Sequence, residues 1–283
     1  MPESRKRVSA KRRSARRAGP RKGAARARGK RAPDSLLTVD VGNSEITVGR
    51  FRGDKLDGFW RLTTMRLTSD EVLLQLRGLL GAATAETSAA VLCSVVPALS
   101  QPWSVALERL TGVAPVEVNA ASANIAIRYL DQSAVGADRL ANAVAVRARY
   151  GTPAIVVDLG TATTFDCISK EGAYLGGIIA PGVGTSSEEL FRRAARLPRV
   201  ELRAPSRAVG RTTEESLRAG VIWGHAGQID ALVRRLALEM KGTPHVIATG
   251  GFALLIAPEC ETINRVDEAL TLTGMKLIWE RAK

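Results

Sequence analysis

The 283-residue chain has only two histidines, His225 and His245, and three cysteines, Cys93, Cys167 and Cys260. The histidines stand far apart and no cysteines are spaced as CxxC. Neither a metal cluster, a zinc site nor a disulfide framework is therefore expected, and the thiols fit a reducing compartment. No apolar run approaches the ~20 residues that a membrane-spanning helix needs. GxxxxGK[ST] is missing, which excludes a P-loop NTPase, and HRD and DFG are missing, which excludes a protein kinase. What remains is ordinary globular composition, 45% apolar and 24% charged. Its length suits one large lobe or two modest ones, at ~100–200 residues per domain.

The net charge of +13 belongs to one end of the chain. Residues 1–34 hold fourteen of the 41 Lys and Arg but two of the 28 Asp and Glu, leaving 27 bases against 26 acids in the rest. This segment has Ala and one Val but no larger aliphatic or aromatic residue beyond Met1. It is expected to be a disordered basic tail, because it buries too little surface to offset ordering. Such an arm binds nucleic acid or anionic lipid by counterion release; a dispensable extension and an over-long translational start are the alternatives. No apolar h-region follows its arginines, so it is not a secretory signal. It superficially matches an organellar transit peptide without other support, and the cytoplasm is the expected location.

Residues 36–40 (LLTVD) read as a buried strand, followed by Val41-Gly42-Asn43-Ser44 and a second strand over 46–51. A helix is expected from Ser69, with Asp70 and Glu71 in its first turn, and a strand over 89–96. The device then returns: residues 154–158 (AIVVD) lead into Leu159-Gly160-Thr161-Ala162 and a strand over 165–169. VDxG thus occurs twice, 118 positions apart, which is a sign of internal repetition. Glycine lets a phosphate approach the backbone, and successive N–H groups of a tight turn make an anion-binding concavity. A carboxylate beside that turn requires a cation or a proton to bridge it to phosphate. Two facing turns of this kind can clamp a Mg-nucleotide.

Between the repeats, a helix is expected from Asp138 to the Gly151 and Pro153 breakers. Its dipole favours an ionised Asp138. Arg139 has no acid at i+3 or i+4; it is left for a distant acid or for a carboxylate-bearing substrate. Residues 246–253 read as a strand entering a Gly-Gly turn, either nucleotide-facing or a plain connection. Residues 176–182 either wall a pocket or serve packing. Ser187 is expected to open a helix whose Arg192, Arg193 and Arg196 face solvent.

DVGNS, GADR, VDLGTATTFD and LGGIIAPGVGTS, in this order and spacing, resemble the type III pantothenate kinases, from about Leu36 to the C-terminal helix near Trp279. That family belongs to the acetate and sugar kinase, Hsp70 and actin superfamily. The resemblance implies an α/β fold of two actin-like, ribonuclease H-like lobes, residues 35–151 and 152–283, with a nucleotide cleft between them and a homodimeric assembly. It implies ATP-dependent phosphorylation of pantothenate to 4'-phosphopantothenate, the first step of coenzyme A biosynthesis. ATP, Mg2+ and a monovalent cation, K+ or NH4+, come with it. At matching positions, Asp40, Val41, Gly42, Asn43, Ser44, Glu45, Ile46 and Thr47 form the ATP-phosphate loop, Asp40 serves the magnesium, and Thr161 contacts ATP. Tyr129, Gly136, Ala137, Asp138, Arg139 and Thr213 contact pantothenate, with Asp138 as catalytic proton acceptor. Asp158 matches the monovalent-metal ligand.

The first loop departs from the DVGNTNT of many relatives at Glu45, which adds a charge, and at Ile46, which removes a hydroxyl. ATP affinity falls if both face the phosphates and is spared if they alternate outward. Asp131-Gln132-Ser133-Ala134 stands where relatives often have proline. A second reading is therefore a degenerate kinase-fold regulator whose tail binds nucleic acid. A third is an actin-like or Hsp70-like ATPase, against which the GADR segment and the lack of a peptide-binding extension weigh.

Overall fold

The computed structural model describes residues 35–283; the basic tail expected over residues 1–34 lies outside the described residues. Strands β1 (Ser35–Val41), β2 (Glu45–Arg52) and β3 (Lys55–Thr63) form an antiparallel meander. Helix α1 (Ser69–Leu80) leads to β4 (Thr87–Ser94), parallel to β1, and α2 (Pro97–Thr111) leads to β5 (Val116–Glu117), parallel to β4. The short α3 (Ala120–Ala123) and then α4 (Ala137–Arg149) complete this half.

The second half repeats that order. Strands β6 (Ala154–Leu159), β7 (Ala162–Ile168) and β8 (Tyr174–Pro181) form the meander. Helices α5 (Val183–Arg193) and α6 (Thr213–Glu239) precede β9 (His245–Thr249), which lies parallel to β6. Then come α7 (Ala253–Ile256), β10 (Arg265–Val266), parallel to β9, and α8 (Leu270–Arg281). The two sheets share one strand order, β3-β2-β1-β4-β5 and β8-β7-β6-β9-β10, so the two VDxG segments occupy equivalent turns. The α/β class and duplicated plan agree with the sequence.

Local chemistry accounts for the element ends. Thr68 and Glu71 form a reciprocal capping box at the start of α1, satisfying two N–H groups that the first turn leaves unpaired. Val72, Leu73, Leu76 and Leu80 recur at helical spacing and are buried. Helix α5 begins at Val183 rather than at Ser187, because Ser186 N–H already donates to the Gly182 carbonyl at 2.9 Å. Arg192 and Arg193 lie on its exposed side and pair with Glu189, while Arg196, also exposed, lies in the turn beyond the helix end rather than in it.

The core has three apolar layers. Helices α1 and α2 cover one face of the first sheet with Leu76, Trp103 and Leu107 over Leu37 and Val39. Helices α5 to α7 cover the far face of the second sheet, where Ile222 and Ile229 meet Ile155 and Phe165. Between the sheets lie α4 and α8, with Leu140, Val144, Leu272 and Ile278 against Val91 and Val156. Each such side chain, fully buried, contributes about 1.5–3 kcal/mol. Helix α8 follows the second sheet but rests on α4, β1 and β4, while α4 also touches β6 and β7. The 151/152 boundary thus separates the sheets, and the lobes share the helix layer between them.

The α4–α8 crossing is close: a Cβ on Gly274 would stand 1.9 Å from the Ala141 carbonyl oxygen. Gly274→Ala is therefore expected to destabilise the protein by about 1–3 kcal/mol through overpacking, measured by denaturant unfolding. Unchanged stability would show that the helices separate freely.

Candidate active site

The carboxyl ends of β1 and β6 open into one cleft of about 460 Å³, lined from both halves of the chain. From the first turn come Asp40, Gly42, Asn43, Glu45 and Thr47; from the second, Asp158, Gly160 and Thr161; from the start of α4, Gly136, Asp138 and Arg139. The first turn is tight. Gly42 N–H donates to the Glu45 carbonyl at 3.0 Å, and a Cβ on Gly42 would sit 2.7 Å from that oxygen. The second turn repeats this, Gly160 N–H donating to the Ala162 carbonyl at 3.0 Å. The turns meet through the Ser44 and Thr161 hydroxyls, 2.8 Å apart.

Strand alternation settles the departures in the first loop. Ile46 is buried in the core among Val48, Val72 and Leu76, as is Val41, so neither side chain lines the cleft. The hydroxyl missing at Ile46 therefore points away from any phosphate. Glu45 and Thr47 do face the cleft, and Glu45 pairs with Arg61 of β3 at 3.5 Å.

Three aspartates converge here. Burial, then the charge of Asp138, pushes the Asp40 carboxyl up to about 8 from an ordinary 3.8, against the opposing Cys93 hydrogen bond. The same two causes, in the same order, push Asp158 up to about 7. Asn142 Nδ2 donates to Asp158 Oδ2 at 3.2 Å and is held in turn by the Thr271 hydroxyl at 2.8 Å. Asp138 lies in the first turn of α4, whose N-cap is Gly136, and its Oδ1 accepts from Arg139 N–H at 2.7 Å. The helix-dipole argument expects Asp138 to stay ionised; enclosure outweighs it and raises the carboxyl. A Cβ on Gly136 would lie 2.5 Å from Asp138 Oδ1, so any side chain there displaces that carboxyl oxygen.

Arg139 turns to a distant acid. Its Nε donates to Asp166 Oδ1 at 2.6 Å, and the Tyr174 hydroxyl donates to the same oxygen at 2.9 Å. Burial raises Asp166 to about 6, with the Arg139 charge opposing. Arg139 Nη2 is buried without a partner. Tyr129 meets Tyr174 edge to face at 6.5 Å and lies over Gly176, so residue 176 serves packing while Ile179 of the same strand lines the cleft. Ala137 opens α4 behind the lining residues. Thr213, the exposed first residue of α6, is not brought to the cleft.

The Gly-Gly turn also faces the cleft through Thr249, Gly250 and Gly251. Gly250 has φ 92, and a Cβ there would stand 2.5 Å from Asp158 Oδ1. Arg61, Cys93, Asn142 and Glu268 lie outside the motifs, and Asp166 ends the VDLGTATTFD motif without having been given a role. For Asp166 a signal existed: a lone carboxylate in the apolar run Phe165-Asp166-Cys167-Ile168 needs a partner.

Among the described residues no three His, Cys, Asp or Glu side chains group closely enough to hold a metal alone. Asp40 Oδ1 is nevertheless buried with no hydrogen-bond partner, and three further acids, Asp138, Asp158 and Glu45, stand near it. That donor set fits Mg2+, which commonly takes one or two carboxylates and completes its shell from phosphate and water.

A family model described as type III pantothenate kinase matches residues 36–235. The type III pantothenate kinase of Moorella thermoacetica is 45% identical over 251 residues, covering 87% of this chain and 99% of the relative. This chain belongs to the type III pantothenate kinase family. The namesake enzyme of Geobacter sulfurreducens is 43% identical over 255 residues, covering 87% of this chain and 98% of its own. In fold, the chain is similar to the activator of the 2-hydroxyisocaproyl-CoA dehydratase from Clostridium difficile, solved with bound ADPNP. That match has a TM-score of 0.52 at 14% identity, over 88% of this chain and 97% of that one. The family's two-lobed, actin-like α/β fold is the one described above.

Asp40 and Asp158 hold protons more tightly folded than unfolded. The stability this gives is whole below their unfolded value of 3.8 and is lost as pH rises through about 7 and about 8. In the ligand-free protein, the Tm is expected to fall between about pH 6 and about pH 9, and Asp40→Asn to flatten that fall. Thermal melts across this range check it, and a level or rising wild-type Tm contradicts it.

Proposed function

We propose that this chain transfers the γ-phosphoryl group of ATP to the pantothenate hydroxyl, giving 4'-phosphopantothenate and ADP, the first step of coenzyme A biosynthesis. The carrying observation is the single cleft in which an unpartnered Asp40 oxygen stands near Asp138 and beside an Arg139 with an unpartnered Nη2. The first pair of groups suits a metal-bridged polyphosphate and the alcohol that attacks it. The Arg139 donor suits the carboxylate at the other end of the substrate.

The chain's own residues supply the chemistry. The turn at Gly42 and Asn43, with Thr47 and Thr161, presents backbone and hydroxyl donors to phosphate oxygens. Asp138 orients the alcohol and takes its proton as the new P–O bond forms and the bond to the ADP oxygen breaks. In a loose transition state that transfer comes late, so a carboxylate is an adequate acceptor. Asp166 and Tyr174 fix the Arg139 guanidinium, and Tyr129 closes the same side. Magnesium at Asp40, when bound, neutralises charge on the phosphates. Asp158 is the proposed ligand for K+ or NH4+.

The homodimer and the cytoplasmic location are part of the same proposal. Thr213 lies outside the cleft of its own chain, and in the proposed dimer the second subunit would bring it to substrate. The regulator reading is the weaker one, because Asp40, Asp138, Asp158 and Arg139 share one cleft.

Coupled ADP release tests this reading directly. Turnover is expected only with pantothenate present and to be faster in potassium than in sodium; ATP hydrolysis indifferent to pantothenate refutes it. Asp138→Asn is expected to lower kcat about 10²-fold or more with KM values little changed, and unaltered turnover removes Asp138 from the mechanism.

A further inference from the structure

We propose that Arg61 is a phosphate-binding residue for the nucleotide, held by Glu45 and Glu268 while the cleft is empty and released from them when a polyphosphate enters. The inference rests on the kinase reading above and adds a residue that the turn motifs do not contain.

Position is the first argument. In the first sheet Asp40 is the cross-strand partner of Thr47, and Thr47 of Arg61. Direct partners share a face, and all three line the cleft. Neighbouring strands lie ~4.8 Å apart, so the Arg61 backbone stands roughly 10 Å across the sheet from that of Asp40. On its other side Asp40 is paired with Cys93 of β4, the strand on which α4, carrying Asp138, rests. The acceptor alcohol therefore belongs on the β4 side of Asp40. A phosphate chain whose reacting end lies at Asp40 extends the opposite way, past the Thr47 hydroxyl to the Arg61 guanidinium.

Charge is the second argument. The cleft lining carries Asp40, Glu45, Asp138, Asp158 and Glu268 but, among the described residues, only Arg61 and Arg139 as cations. Arg139 is committed to buried Asp166 at 2.6 Å. Arg61 is held loosely: its Nε lies 3.5 Å from Glu45 Oε1 and its Nη2 3.5 Å from Glu268 Oε2. Both are longer than the ~2.7–2.9 Å of a charge-assisted hydrogen bond. The two glutamates are 46% and 45% exposed, so water screens both pairs. The guanidinium also lies 5.3 Å from the Phe59 ring centroid, and Nη1 reaches within 3.9 Å of where a Cβ on Gly251 would be. Arg61 thus spans from the first sheet to the glycine turn of the second, with a planar fork suited to phosphate oxygens.

The test measures ADP affinity by titration calorimetry without pantothenate, together with both KM values and the Tm. Arg61→Gln is expected to raise the Kd for ADP and the KM for ATP by about 10-fold or more, as loss of a charge-assisted contact does. The KM for pantothenate should stay within about 2-fold and the Tm should not move. Arg61→Lys should fall between, because it keeps the charge without the fork. Glu45→Gln, which removes a competitor for the guanidinium, should tighten ADP. Wild-type ADP affinity in Arg61→Gln overturns the proposal. So does a lowered Tm with equal loss of both substrates, which would assign Arg61 to holding β3 in place. A wild-type protein that binds ADP but leaves pantothenate untouched sinks the kinase reading instead, and the calorimetry still decides Arg61.

Discussion

Asp40, Asp138 and Asp158 come from three separate elements and are brought together where water is scarce. The charge of Asp138 raises the energy of ionising both Asp40 and Asp158. Hydrogen bonds from Cys93, Asn142 and the Arg139 backbone relieve this only in part, and Asp40 Oδ1 has no partner at all. The fold tolerates the crowding because two sheets, each with its own hydrophobic support, drive their turns together. A site assembled this way is short of positive charge by construction, and a cation arriving with a polyphosphate is what makes it complete.

The duplication explains how such crowding arises. Each half carries an aspartate one residue before the end of its first strand and turns at once into a hairpin, and the two sheets share one strand order. When two copies face each other, their acidic turns face each other too. The layer of α4 and α8 between the sheets sets the spacing and supplies Asp138 from the first of these helices. The catalytic candidate thus belongs to the joint between the halves.

Much of this was legible in the residues. The buried strands ending in Asp40 and Asp158 carry a simple apolar run, and glycine with hydroxyls after each leaves little choice of turn. The α4 start was legible for a similar reason. What could not be read was which partners meet across the fold. An arginine without an acid on its helix and an aspartate inside an apolar strand are each conspicuous, yet only the packed structure joins Arg139 to Asp166. The facing of Glu45 and Ile46 was equally hidden until β2 had a register against β1. Strand β3 mixes Gly, Asp and Arg with Phe, Trp and Leu and is only partly buried, so its pattern is weak and Arg61 went unnoticed. The level of ionisation at Asp138 depends on enclosure, which a helix start alone does not disclose.

Glycine stands against an acid in each half: Gly136 against Asp138 and Gly250 against Asp158, at 2.5 Å from where a methyl would be. The carboxylates owe their places to carbon that is not there. Drift at either position by the smallest available step, one CH3, evicts an oxygen from the centre while leaving every charged residue of the signature intact. A descendant sequence could therefore keep all its acids and still have lost the enzyme.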